Sequence, residues 1–248
     1  MGQRRVRKAL SAAFDALGYQ VRRKQPPSWG DDAYLDQQRL LKDSPVRVVM
    51  DVGANVGDTV RLYRSLFPAA TIYAFEPFPD VHRQLVERFA GDLQVRPYQR
   101  AVTDAAGRRR LYVNDVHVTN SLLPLNPASV DWARASSAQG LDKTVEVSAV
   151  TLDQFAAAEG LSHIDLLKMD IQGGEGMALE GAAALLARQA VRVVYLEVEF
   201  APLYEGQAFF CDITRILNRY GYRIFGLYNL VHEDRGLGWG DAIFRPAT

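Results

Sequence analysis

Between Val46 and Pro77 the chain reads strand, glycine turn, helix, strand, acid. The apolar run Arg47-Val48-Val49-Met50-Asp51-Val52 ends in an acid and meets Gly53-Ala54-Asn55-Val56-Gly57. A helical stretch from Thr59 to Phe67 follows, then a second apolar run, Thr71 to Phe75, closed by Glu76. Such a unit puts strand ends, turn and acid together at the carboxyl edge of a parallel sheet, where open α/β folds bind ligands.

The glycine spacing narrows the ligand. A dinucleotide-binding turn has G-x-G-x-x-G, so that backbone approaches a pyrophosphate at the start of the helix. Here Asn55 and Asp58 occupy the second and third glycine positions, and the Asp58 charge opposes a pyrophosphate. The pattern Asp51-x-Gly53-x-Asn55-x-Gly57 suits a ligand with a ribose and an amino-acid portion but no phosphate. Gly53 and Gly57 admit close backbone approach. Asp51 can offer its carboxylate to an ammonium, directly or through water. Glu76 follows Gly57 at about the twenty-residue interval at which nucleotide folds place the acid that accepts from ribose hydroxyls. The alternative is a purely structural βαβ unit with solvated acids at its strand ends.

The rest of the chain continues the alternation. Helices are expected over 31–41, 80–89, 171–186 and 212–220, and core strands over 93–102, 161–170, 191–198, 222–228 and 242–245. The last two are expected to be joined by the loop 229–241, and one of them to run antiparallel. Residues 108–113 are expected to form a hairpin with the strand before them, across the turn Asp104 to Gly107. The insert 108–150, which includes an alternating strand over 144–150, then lies above the strand ends and caps the pocket. The fold class that results is α/β, a doubly wound and mostly parallel seven-stranded sheet with a late antiparallel strand and a β-hairpin insert. Residues 1–44 read as an N-terminal helical extension and 45–248 as the main domain. A basic amphipathic helix over 4–23 is expected to dock on the domain or on a second copy, which makes a homo-oligomer through this helix an expectation; membrane-surface attachment is the alternative.

Bulk properties set the remaining limits. A formal net charge of +0 gives no reason to expect nucleic acid as a partner. The single cysteine, Cys211, permits no internal disulfide and reads as a small buried side chain. Without an apolar run of about 18 residues no membrane span is expected, and the expected address is the cytoplasm.

Three segments together carry a family resemblance: Val49 to Gly57, Ala74-Phe75-Glu76-Pro77, and Leu167-Lys168-Met169-Asp170-Ile171-Gln172-Gly173-Gly174-Glu175. With the closing Gly240-Asp241-Ala242-Ile243-Phe244, they resemble the FkbM family of methyltransferases over nearly the whole chain from Val46. The resemblance implies a Rossmann-like class I methyltransferase fold and S-adenosyl-L-methionine as methyl donor. It further implies transfer to oxygen, often a sugar hydroxyl of a natural product, glycolipid or polysaccharide, so the expected partner is a small-molecule or glycan acceptor. Asp51, Gly53, Asn55 and Gly57 would then surround the amino-acid portion, and Glu76 the ribose. Phe78 would pack near the adenine face, with Thr103 and Asp104 beside its edge. Asn120, Ser121 and Asp170 would border the methionine end or the acceptor. Gln172 departs from the family, which usually has Glu in its Asp-x-Glu-Gly segment; Gln hydrogen-bonds but takes no proton, which implies a structural or acceptor-orienting role.

Methylation of an alcohol calls for a base near the hydroxyl. Asp170, Glu197 or Glu199, at the ends of adjacent strands, are the candidates, with His232 in the final loop as a further catalytic candidate. Gln172, Glu199, Tyr204 and Trp239 are the expected acceptor-binding residues, the two aromatics by stacking on a sugar ring. Asp170, Glu175, Glu197 and Glu199 supply oxygen ligands, but no spacing demands a metal and none is expected. Two other classes stay open: an NAD-dependent oxidoreductase, opposed by Asp58 and the missing third glycine, and a non-catalytic nucleotide-binding module.

Overall fold

The structure, a computed structural model, describes residues 27–114, 117–126, 143–234 and 236–247, together with Phe14, Leu17 and Gly18. Apart from those three positions, the helix expected over 4–23 lies outside the described residues, and so does the subunit contact expected through it.

Strand β1 (Val48–Val52) is buried along its whole length, as is β7 (Ile164–Met169). Two-sided burial is what continuous apolar runs in parallel sheets require. These strands sit at the centre of a seven-stranded sheet of order β3-β2-β1-β7-β8-β10-β9. The sheet is completed by β2 (Thr71–Phe75), β3 (Val95–Tyr98), β8 (Val191–Glu199), β9 (Tyr222–Glu233) and β10 (Gly236–Pro246). All pairings are parallel except those of β10, which runs antiparallel to both neighbours. The expected α/β sheet with one late antiparallel strand is therefore present.

Side chains alternate between the two faces. Val48, Met50 and Val52 meet helices α4 (Leu152–Ala158), α5 (Glu175–Glu180), α6 (Ala183–Ala187) and α7 (Phe210–Arg219). Val49 faces the other way, toward α1 (Ala33–Leu41), α2 (Asp58–Leu66) and α3 (Pro79–Arg88). Helix α1 starts at Asp32, whose Oδ1 accepts from the Tyr34 and Leu35 amides at 2.9 Å each. It packs into this second core, with Asp36 and Gln37 fully buried and the Tyr228 hydroxyl donating to Asp36 at 2.9 Å. Helix α1 falls before the boundary drawn at 44/45, yet it is continuous in packing with the sheet.

Several expectations are corrected. The strand expected over 93–102 divides into β3 and β4 (Ala101–Val102), and β4 leaves for a separate three-stranded sheet of order β4-β6-β5. Strand β5 (Gly107–Tyr112) does not form a hairpin with the strand before it. Its partner is β6 (Thr144–Val150), antiparallel, with β4 parallel on the far side of β6. The loop expected over 229–241 is mostly strand, because β9 and β10 continue as a long hairpin. The helix expected over 171–186 is interrupted at Gly181, where a Cβ would lie 2.1 Å from the Thr103 carbonyl oxygen. Helix α4, capped by Thr151 Oγ1 accepting from the Gln154 amide at 3.1 Å, was not expected. Cys211 is exposed rather than buried.

Candidate functional site

At the carboxyl ends of β1, β2 and β7 a cleft opens, with ≈ 750 Å³ of empty space including its open mouth. The turn after β1 forms its floor. Gly53 has φ +78°, and a Cβ there would lie 1.9 Å from the Asp170 carbonyl oxygen. Only glycine lets the ends of β1 and β7 close at this point. Gly57 also has positive φ, but a Cβ there would meet the Phe89 ring at 2.4 Å. The expectation that Gly57 makes room for ligand is thus corrected: it makes room for Phe89, and it does not line the cleft.

Glu76 lines the cleft, and its carboxylate is already oriented. Oε2 accepts from the Asn55 amide at 3.1 Å and Oε1 from the Phe78 amide at 2.8 Å. Burial pushes this acid up to about 7, against the pull of those two amides. Each oxygen keeps one acceptor direction, an arrangement matched to two adjacent hydroxyls.

Asp51 is placed differently from the expectation. It is fully buried and absent from the cleft wall, so direct contact with a ligand ammonium is not available to it. Its Oδ1 lies 3.0 Å from Lys168 Nζ, and with both side chains buried the two form a buried ion pair. Lys168 in turn donates to the Gly53 carbonyl at 3.0 Å. Burial raises Asp51 more than Lys168 lowers it. Burial also pulls Lys168 down, but Asp51 and Asp170 overcome it and the net shift is upward. The pair therefore holds the turn from behind.

The insert closes the other side. His117 and Val118 of a 3₁₀ turn, His117–Thr119, and the following Asn120, Ser121 and Leu122 line the cleft, as does Leu111 of β5. Phe75, Ala101 and Val102 complete an apolar wall. Phe78 lies instead against the small sheet's core of Ala101, Leu111, Val147 and Ala149. Thr103 is buried beneath Gly181, and Asp104 borders a separate recess with Gly176 and Met177. Neither lines the cleft, which ends at Val102.

On the remaining side Asp170 and Gln172 enter the wall. Gln172 Nε2 donates to Asp170 Oδ1 and to Glu197 Oε2, at 2.9 Å each. Glu197 stands behind Gln172, not in the wall, and burial followed by Asp170, Glu199, Glu175 and Asp241 raises it well above the carboxylate range. Glu175 accepts from the Ile171 amide at 2.7 Å, and burial brings it to about 7. Tyr204 is buried, with its hydroxyl on Gln172, so its ring offers no face to a sugar. Glu199 is buried and paired in register with Trp239, and neither reaches the cleft. His232 is exposed on β9 opposite Leu237, away from the wall. Among the described residues no group of three or more His, Cys, Asp or Glu side chains is arranged to hold a metal ion.

Lys168, Arg100 and Leu111 are among the contributors not foreseen in the sequence. Lys168 carried a signal, since a lysine inside an otherwise apolar strand needs a buried partner. Arg100 and Leu111, both in the wall, carried none, because their place depends on how the small sheet packs.

The chain matches the family model described as the methyltransferase FkbM domain over residues 51–224. It is 29% identical over 176 residues to the 2-O-methyltransferase NoeI of Sinorhizobium fredii, covering 67% of this chain and 69% of that protein. It is 30% identical over 173 residues to the 31-O-demethyl-FK506 methyltransferase FkbM of Streptomyces tacrolimicus, covering 61% of this chain and 64% of that protein. The chain thus spans about two thirds of the length of these relatives. The magnesium protoporphyrin IX methyltransferase ChlM of Synechocystis PCC 6803, solved with bound SAM, is 14% identical, covering 99% of this chain and 83% of that one at a TM-score of 0.44.

Proposed function

From the premise that this chain belongs to the FkbM methyltransferase family and uses S-adenosylmethionine, we propose that it is an O-methyltransferase acting on a hydroxyl of a sugar, a glycosylated natural product or a polysaccharide. Both relatives above carry O-methylation in their names. The observation that carries the reading is Asp170: an exposed carboxylate in the cleft wall, held by Gln172 and opposite Glu76 across the turn.

The residues present fit the cofactor. The two free acceptor directions of Glu76 match a ribose diol. The apolar wall of Phe75, Val102 and Leu111 suits a purine, and Gly53 lines the cleft beside it. S-adenosylmethionine, when bound, supplies a methyl group on a cationic sulfur. The chain must then align an acceptor oxygen with that carbon and remove its proton. Alignment contributes several kcal/mol and a base roughly 10²–10⁴-fold. Asp170 takes the proton. Glu197 stands behind Gln172 and does not line the cleft, so it is not placed to act as the base. Asn120, Ser121 and His117 offer hydrogen-bonding side chains that orient a polyhydroxyl acceptor.

The test is methyl transfer from labelled S-adenosylmethionine to a panel of oligosaccharides and glycosylated macrocycles, with the product mapped by mass spectrometry. An ether on a sugar hydroxyl is expected. Asp170→Asn should lower kcat by about 10²-fold while S-adenosylhomocysteine still binds. Exclusive transfer to nitrogen or carbon would overturn the reading.

A further inference from the structure

Gln172 sits in the left-handed region, at φ +56°, without being glycine. That conformation is uncommon for a residue with a side chain, so its surroundings must hold it. The Ser121 hydroxyl donates to the Gln172 carbonyl at 2.7 Å, which ties the backbone to the insert. Both Nε2 hydrogens are used, one on Asp170 and one on Glu197. The Oε1 atom accepts the Tyr204 hydroxyl at 2.8 Å. The two acids fix which way the amide faces, and the Tyr204 hydroxyl meets its oxygen. Reversing it would aim the amide oxygen at two acids and leave the hydroxyl facing N–H groups.

The Tyr204 hydroxyl has a second acceptor. The Thr119 carbonyl, at the end of the 3₁₀ turn in the cleft wall, lies 3.2 Å away. One hydroxyl hydrogen is therefore divided between the insert and the amide that holds Asp170. Tyr204 itself is rigidly mounted: Gln207 Oε1 accepts the Leu203 and Tyr204 amides, and Gln207 Nε2 donates to the Ala201 carbonyl at 2.8 Å. Gly173 leaves the space its ring fills, since a Cβ there would lie 3.0 Å from Tyr204 Cδ2.

We propose that Tyr204 is a positioning residue which, through Gln172, couples the cleft-covering segment 117–121 to the orientation of Asp170. When that segment shifts to admit an acceptor, the hydroxyl loses Thr119 and commits to Gln172, and the amide is then locked with both N–H groups on the acids. Glutamate at position 172 would break the device, because a third carboxylate between Asp170 and Glu197 cannot donate to both. The coupling to catalysis rests on Asp170 being the base; the coupling to the insert does not.

The experiment uses the full chain and the variants Tyr204→Phe, Gln172→Ala, Gln172→Glu and Asp170→Asn. Hydrogen exchange is read with and without S-adenosylhomocysteine, and kcat, KM and pH profiles are measured on whichever acceptor the wild type methylates. Tyr204→Phe should speed exchange in 117–126 at least fivefold, leave the affinity for S-adenosylhomocysteine within twofold, and lower kcat about tenfold. Gln172→Glu should move the acid limb of the kcat profile to higher pH, a change that a merely structural role would not produce. Unchanged protection of 117–126 in both Tyr204→Phe and Gln172→Ala overturns the inference, with or without an acceptor. If Asp170→Asn is fully active while Tyr204→Phe still frees the insert, the base assignment fails and the coupling to the insert stands.

Discussion

Lys168→Met removes the cation from a pair in which the side chains are 7% and 0% exposed. At an effective dielectric of about 20, unit charges 3.0 Å apart attract by about 5–6 kcal/mol. Desolvation of both groups offsets much of that, and breaking such pairs from one side costs about 3–5 kcal/mol. An upper limit comes from chemistry: the stranded Asp51 can take up a proton. From its ordinary value near 4, doing so at pH 7 costs about 4 kcal/mol, and about 1.4 kcal/mol at pH 5. Urea unfolding should therefore show a loss of about 3–4 kcal/mol at pH 7, shrinking toward pH 5. In a domain of this size, the pH 7 loss lowers Tm by roughly 6–16 °C. Asp51→Asn combined with Lys168→Met, which leaves no lone charge, should recover at least half of it. A loss below about 1 kcal/mol at pH 7, or a double variant no better than the single, would refute the reasoning.

Glu76, at about 7 in the folded chain against 4.5 as its reference value, links cofactor affinity to pH. Its folded value is raised, so its protonation favours the unliganded fold, and that contribution is lost as pH rises from about 4.5 through 7. Ribose hydroxyls prefer the ionised form, so S-adenosylhomocysteine should bind about tenfold more tightly at pH 8 than at pH 6. Titration calorimetry should find this dependence gone in Glu76→Gln. Gly53→Ala, which drives a Cβ to 1.9 Å from the Asp170 carbonyl, should abolish cofactor binding and cost more than about 3 kcal/mol, read by binding and by thermal unfolding. His232→Ala, exposed and away from the wall, should leave kcat and KM within twofold in the methyl-transfer assay.

The turn and its acid were legible because they are local. Strand, glycine, helix and Glu76 lie within one unit, and hydrophobic run length alone sets their order. The central sheet followed from the same alternation. What escaped was decided by distant packing. Strand β4 pairs with β6, nearly fifty residues on, and no turn chemistry announces that. Helix α4 did announce itself through Thr151 and Gln154, a start signal of the kind that caps provide, but its seven residues are too few for a clear apolar period. In the site, Glu76, Asp170 and Gln172 enter the cleft wall, while other expected residues lie outside it. Asp51, Glu197 and Tyr204 read as ligand-facing groups; all three lie outside the cleft wall, Glu197 and Tyr204 on Gln172 and Asp51 on Lys168. Aromatic character pointed to sugar stacking at Tyr204, yet its depth of burial makes the hydroxyl the working part.

The seating of α1 has a practical consequence. Asp36 receives the Tyr228 hydroxyl, the Gly30 amide and Arg39, and the helix covers aromatic rings that belong to α2 and β8. A version of the protein begun at the family match, residue 51, would bare that greasy flank and strand the Tyr228 hydroxyl. Joining a tag or a fused neighbour at the boundary after 44 would tear this seal off.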